Sequence, residues 1–158
     1  PGRSKGLVTI IPKSAKVILN IYNGDSLIEK KPFGVRRIPK PDIQLTSRGQ
    51  AINERQGMPA PGPRSLEVKA SADESFKAFL PKDARYKVLQ WEVSLARGSR
   101  ALKVAKFSIQ KGSLTAFASA ARPGDRLVIE IKKVGRLNFR GDIEEVKMGA
   151  IVHTIPLT

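Results

Sequence analysis

The sequence predicts a mainly β protein: an Ig-like β-sandwich C-terminal domain with a short helix, preceded by part of a second small β domain. Three features carry that expectation. Apolar and polar residues alternate over short runs, the period of a half-buried strand. Thirteen Gly and eleven Pro in 158 residues supply the turns that short strands need. A proline-rich stretch then separates a thin first segment from a longer second one, giving boundaries of 1–41 for the partial domain, 42–63 for a linker and 64–158 for the sandwich.

The first segment opens with Leu7-Val8-Thr9-Ile10-Ile11, a β-branched run that Pro12 stops. Lys16-Val17-Ile18-Leu19-Asn20-Ile21-Tyr22 follows. Asn23-Gly24-Asp25 accepts the positive φ of a tight hairpin, so Ser26-Leu27-Ile28-Glu29-Lys30 is expected to return antiparallel. Pro32 to Pro41 reads as an extended piece ending in two prolines that cannot continue a sheet. About forty residues are thin for an independent domain, and the segment reads as the completion of a fold begun upstream. The opening Pro1-Gly2-Arg3, with no initiator Met, fits a fragment of something longer.

Gln, Asn, Ser and Gly accumulate over 42–63, which ends in Met58-Pro59-Ala60-Pro61-Gly62-Pro63 and reads as a polyproline-like connector. Arg64 to Ala70 then alternates as an edge strand does. Phe76, Phe79 and Leu80 have helical spacing that Pro81 ends. Leu89, Trp91, Val93 and Leu95 share the inner face of the next strand, which turns at Arg97-Gly98-Ser99-Arg100. The returning strand is expected to bury Ala101, Ala105, Phe107 and Ile109 and to end at Lys111-Gly112. Ser113 can cap a short helix with Leu114, Phe117, Ala118 and Ala121 on one side. Arg122-Pro123-Gly124-Asp125 is a turn. Leu127, Ile129 and Ile131 mark another strand, Gly135 to Gly141 a connection, and Glu145 through Ile155 a final strand.

Charge is the most unusual property: 29 Lys and Arg against 14 Asp and Glu, a formal +15. The excess is spread along both halves and sits mostly at alternate, outward strand positions, whereas nucleic-acid binders concentrate it. It favours an anionic partner, whether nucleic acid, phospholipid headgroups or an acidic protein surface. Aromatic residues are 6% of the chain, too few for a stacking platform, and Trp91 and Phe107 look like core. No amphipathic helix with a basic face appears, and no run approaches a membrane span. Zero cysteines remove disulfides and thiolate metal sites.

Catalytic chemistry finds no foothold. His153 is the one histidine, so a zinc site would need carboxylates as its other ligands, and it reads as a satisfied strand residue. Ser108, Ser113 and Asp125 supply the other residue types of a triad, yet nothing in the sequence places them together. Asp73-Glu74 and Glu144-Glu145 are adjacent, so on strands their carboxylates point apart. Gly-rich phosphate loops are absent. The expectation is a non-catalytic module with no cofactor and no metal.

Phe33-Gly34-Val35-Arg36-Arg37-Ile38-Pro39-Lys40-Pro41 resembles the Arg-Val-x-Arg-x-Pro-x-Pro joint of the GldM/PorM family, the periplasmic shaft proteins of gliding motility and type IX secretion. The order that follows is also similar to that family's C-terminal domain: Phe76 to Leu80, the strand pair ending in Phe107-Ser108-Ile109, Ser113 to Ala121, Pro123-Gly124-Asp125, Val128 to Ile131 and a last strand. The link Gly135 to Gly141 is more basic than the family pattern. The resemblance implies a periplasmic homodimer anchored in the inner membrane by an N-terminal helix outside this sequence. That helix would join a motor partner of the GldL/PorL type. The other end would dock on ring lipoproteins of the GldK/GldN or PorK/PorN type. In that setting Arg36, Arg37, Ile38, Pro39 and Pro41 are expected to form the interdomain joint. Lys132, Lys133, Arg136 and Arg140 are candidate docking cations. A basic nucleic-acid-binding β module is the rival reading, since the charge alone permits it.

Overall fold

The computed structural model describes residues 2–4 and 6–158. It divides into two compact units, Pro1–Ile38 and Pro39–Thr158.

The first unit consists of hairpins. β1 (Gly2–Ser4) pairs antiparallel with β2 (Leu7–Thr9), and β3 (Lys16–Asn23) with β4 (Ser26–Gly34). Asn23 stands opposite Ser26, leaving Gly24 and Asp25 as the expected tight turn, with Gly24 at φ +58°. A register shift after Ile21 leaves Ile28 unpaired as a bulge. Apolar side chains stand on both faces of this hairpin and none is buried: Ile18 is 57% exposed, Tyr22 57% and Ile28 65%. Two strands cannot enclose a core, and none forms among the described residues of this unit.

The second unit is a β-sandwich. One sheet has the order β10-β7-β5-β6, from β5 (Asp42–Ser47), β6 (Gln50–Ala51), β7 (Ser65–Ser71) and β10 (Lys111–Ser113). The other runs β12-β11-β8-β9, from β8 (Arg85–Arg97), β9 (Arg100–Phe107), β11 (Arg126–Leu137) and β12 (Ile143–Val146). β13 (Ile151–Pro156) lies on the same side of β11 as β12, pairing with its first half while β12 pairs with its second. Alternate residues of both sheets fill the space between: Leu45, Leu66 and Val68 from one, Trp91, Val93, Leu95, Leu127, Ile129 and Ile155 from the other. The one α-helix among the described residues, α1 (Glu74–Phe79), is capped by Asp73, whose carboxylate accepts the Ser75 and Phe76 N–H groups at 3.1 Å; Phe76 is its buried residue.

Several expectations require correction. Residues 42–63 are not a free connector. Ile43 and Leu45 alternate as strand residues, and β5 pairs with β7, Leu45 opposite Val68. The proline stretch is tied to the end of the chain: Met58 N–H donates to Pro156 O (2.9 Å), Ala60 N–H to Thr158 O (2.8 Å) and Thr158 N–H to Met58 O (2.9 Å). Gly57, at φ +71°, permits this approach, since a Cβ there would lie 2.3 Å from the Pro156 carbonyl oxygen. The supposed connection at Gly135 is mid-strand, because β11 continues to Leu137. Gly135 is small because a Cβ would lie 2.9 Å from both Ile143 and Leu89. Register shifts near Lys133 rotate the opposing strand, so Val88 is buried while Leu89 is only half-buried. The expected final strand is two strands, β12 and β13. In the returning strand β9, which ends at Phe107, Ala105 and Phe107 are half-buried, but Ala101 and Ile109 are exposed. Leu114 and Phe117 are buried as expected, yet the helix is a single 3-10 turn, Thr115–Phe117. Ser113 does not cap it; its hydroxyl lies 3.0 Å from that of Thr115.

Candidate docking surface

The joint residues divide between the units. Val35 N–H donates to Ala15 O (3.0 Å), which closes the first unit, and Arg36, Arg37 and Ile38 follow as exposed residues. Pro39 opens the second unit, its carbonyl accepting the Tyr86 hydroxyl at 2.6 Å; Pro41 is buried, one residue before β5. The chain is therefore held on both sides of a short exposed segment, Arg36 to Ile38, and the two prolines lie at the start of the second unit.

The four candidate docking cations do not form one patch. Lys132 and Lys133 sit at the β11 irregularity, Lys132 paired with Glu130 (2.6 Å) and Lys133 with Glu145 (3.4 Å). Arg140 is exposed in the loop after β11, its guanidinium 5.5 Å from the centre of the Phe139 ring. Arg136 is withdrawn from any docking role, because its side chain is 6% exposed and both ends are occupied. Nη1 donates to Asp83 Oδ1 at 2.9 Å and Nη2 to Glu144 Oε2 at 2.5 Å. Asn138 completes this knot. Its Nδ2 donates to Glu144 Oε1 (2.9 Å), while its Oδ1 accepts the Arg140 and Asp142 N–H groups. The bond from Asn138, then that from Arg136, holds the Glu144 carboxyl below its ordinary pKa.

His153 and Asp125 are each held by a charged partner. His153, expected to be satisfied, is so at one nitrogen: Nδ1 lies 2.7 Å from Glu54 Oε1, while Nε2 is buried with no partner among the described residues. Asp125 is buried on Arg97, which forks onto both its oxygens at 2.7 and 2.9 Å. That fork, together with the Arg122 N–H, lowers the Asp125 carboxyl to about 2. Among the described residues no group of three or more His, Asp or Glu could hold a metal ion. An open groove of about 590 Å³ along the β5–β6 turn and the proline stretch carries Arg48 and Arg64 and no carboxylate.

The feature that a count of basic residues hides is where the acids are missing. No Asp or Glu lies between Glu92 and Asp125, a span that holds Arg97, Arg100, Lys103, Lys106, Lys111 and Arg122. This span contains β9, which pairs with β8 and has no strand on its other side among the described residues. Leu102 and Val104, 36% and 52% exposed, stand on this edge strand. Lys106 is 3.7 Å from Glu92 with its side chain 81% exposed, and Lys103 Nζ donates to Ala116 O. Arg100 is exposed and has no ion-pair partner among the described residues. Sequence reasoning missed this surface by weighing where bases fall rather than where acids do not.

No helix among the described residues is long and apolar enough to cross a membrane. The family model of the GldM C-terminal domain matches residues 39–158, the whole of the second unit. No curated protein matches the chain, and no solved structure does.

Proposed function

The chain belongs to the GldM family through its C-terminal domain, and from that premise we propose that it is the far periplasmic end of a shaft that docks on an outer-membrane-associated ring and helps pass motor energy to it. The family is a structural component of gliding motility and type IX secretion, membrane-anchored with a periplasmic C-terminal region. The observation that carries the reading is the family match over every residue of the sandwich. Its partners are ring proteins of the GldK/GldN or PorK/PorN type and a second copy of the chain. The first unit supports the pairing of copies, since its apolar side chains are open on both faces.

The +15 charge docks an acidic ring surface. Charges at the rim of an interface chiefly set association rate and salt dependence. Capture from nuclease-treated envelope and cytosolic extracts across a salt series tests this. Ring lipoproteins are expected in the bound fraction, weakening as salt rises. Recovery of ribosomal or other nucleic-acid-bound material alone, with a steep salt slope, would instead establish a nucleic-acid module.

Arg36 to Pro41 restricts the joint between the units, because Pro39 and Pro41 fix φ and remove two amide donors. Replacing both prolines with Gly is expected to broaden the interdomain distribution seen by small-angle scattering. A profile unchanged from the parent chain would remove the joint's role.

A further inference from the structure

We propose that the free edge of β9 receives an extended, acidic segment of the partner protein as an added strand of the sheet. The inference rests on the docking reading above and specifies the surface and the chemistry of what binds there.

An edge strand presents unpaired N–H and C=O groups along its length, a template for another strand unless something covers it. β9 offers eight residues of such an edge, and no strand pairs with its outer side among the described residues. Its sequence, Arg100-Ala101-Leu102-Lys103-Val104-Ala105-Lys106-Phe107, contains three cations and no acid. Those cations bear on which strand can bind. A second copy of β9 laid against the first would set like charges side by side across the new ladder, which is destabilising. An acidic strand reverses the sign of the same terms, while Leu102 and Val104 give it aliphatic surface to cover. Nucleic acid fits this surface less well. Phe107, the strand's aromatic residue, is half-buried and stacked on Trp91 at 4.4 Å, so it is not open to receive a base.

The test uses the whole chain and a purified ring protein of the type named above, with amide hydrogen exchange as the readout. Complex formation is expected to slow exchange at β9 amides. The double variant Arg100→Glu, Lys106→Glu is expected to weaken binding about tenfold or more. Both positions are exposed, and a far-UV circular dichroism spectrum identical to the parent's establishes that the variant folds. Full-affinity binding by that variant, with β9 exchange unchanged, would overturn the edge proposal and leave the docking reading standing. Absence of any binding by the parent chain would overturn both. Protection of β9 that appears with chain concentration alone would overturn the choice of an acidic partner in favour of a second copy.

Discussion

Trp91→Ala is expected to destabilise the second unit by about 3–5 kcal/mol, the range for truncating a fully buried large aromatic. Trp91 is 1% exposed and joins the two sheets. Its ring stacks on Phe107 with centroids 4.4 Å apart, and its Nε1 donates to Ile109 O at 2.8 Å. On the far side of Phe107 lies the backbone of β10 in the other sheet: a Cβ on Gly112 would stand 2.7 Å from the Phe107 ring. Removing the indole therefore opens a void beneath Phe107 and frees Ile109 O at once. The structure can close such a void only by moving strands that the two ladders of β8 hold in place. Trp91→Phe keeps most of the ring and loses the hydrogen bond, so a smaller cost, about 1–2 kcal/mol, is expected. Urea unfolding followed by far-UV circular dichroism measures both, since the variants lack the chain's one tryptophan as a fluorophore. Domains of this size are stable by about 5–15 kcal/mol, so the alanine variant should lose a large share of the total. An Ala variant no less stable than the Phe variant would mean that packing on Phe107 contributes little.

Residues whose environment is set by their own strand period were legible in the sequence. Alternation puts Trp91, Val93 and Leu95 on one face and marks Leu127, Ile129 and Ile131 as a strand, and all six are buried. The Asn23-Gly24-Asp25 hairpin and the Arg122 to Asp125 turn followed from turn chemistry, and Asp125 N–H duly donates to Arg122 O. What failed depended on partners distant in the chain. Proline and glycine at 57–63 look the same whether they span solvent or flank residues bonded to the end of the chain, because the Met58, Ala60, Pro156 and Thr158 contacts leave no local pattern. The irregularity opposite Gln90 likewise shifts Leu89 out of its expected place, and alternation has no means of marking a bulge. The candidate surface divides in the same way. Lys132 and Arg140 are exposed and Lys133 is half-buried, the two lysines paired with Glu130 and Glu145. Arg136 looked equivalent in sequence, yet alternation along a β11 that continues past Gly135 turns its side chain inward, 6% exposed, onto Asp83 and Glu144. The free edge of β9 depends on strand order, which one sequence does not display.

Arg136→Ala is the second large effect, expected to cost about 2–3 kcal/mol. Taking one member from a buried, bonded ion pair typically costs about 3–5 kcal/mol, because its partner is left charged in a poor solvent. Here the upper range does not apply. Asp83 is 18% exposed at its side chain and Glu144 49%, so water can reach the stranded Glu144 carboxylate in part. Arg136 still does more than pair charges. Nη1 donates to both the Asp83 carbonyl and its carboxylate, and the same carboxylate accepts the Phe139 N–H. One guanidinium thus ties the segment before β8 to the loop after β11, which Arg85 and Asn138 also join. Arg136→Met keeps the apolar stem and removes the charge, so it separates packing from pairing. The expected order of stability is parent, Met, then Ala, with both variants losing hydrogen-exchange protection first at residues 137–142. Paired Asp83→Asn and Glu144→Gln changes on the Met background should recover part of the loss by removing the stranded charges. A Met variant as stable as the parent, with its loop still protected, would show that this knot is packed by its stem and that the ion pairs contribute nothing measurable. Because the same change removes a basic residue from the expected docking set, it also checks the surface assignment. Ring binding should fall only as far as the folded fraction falls, since Arg136 is enclosed before any partner arrives.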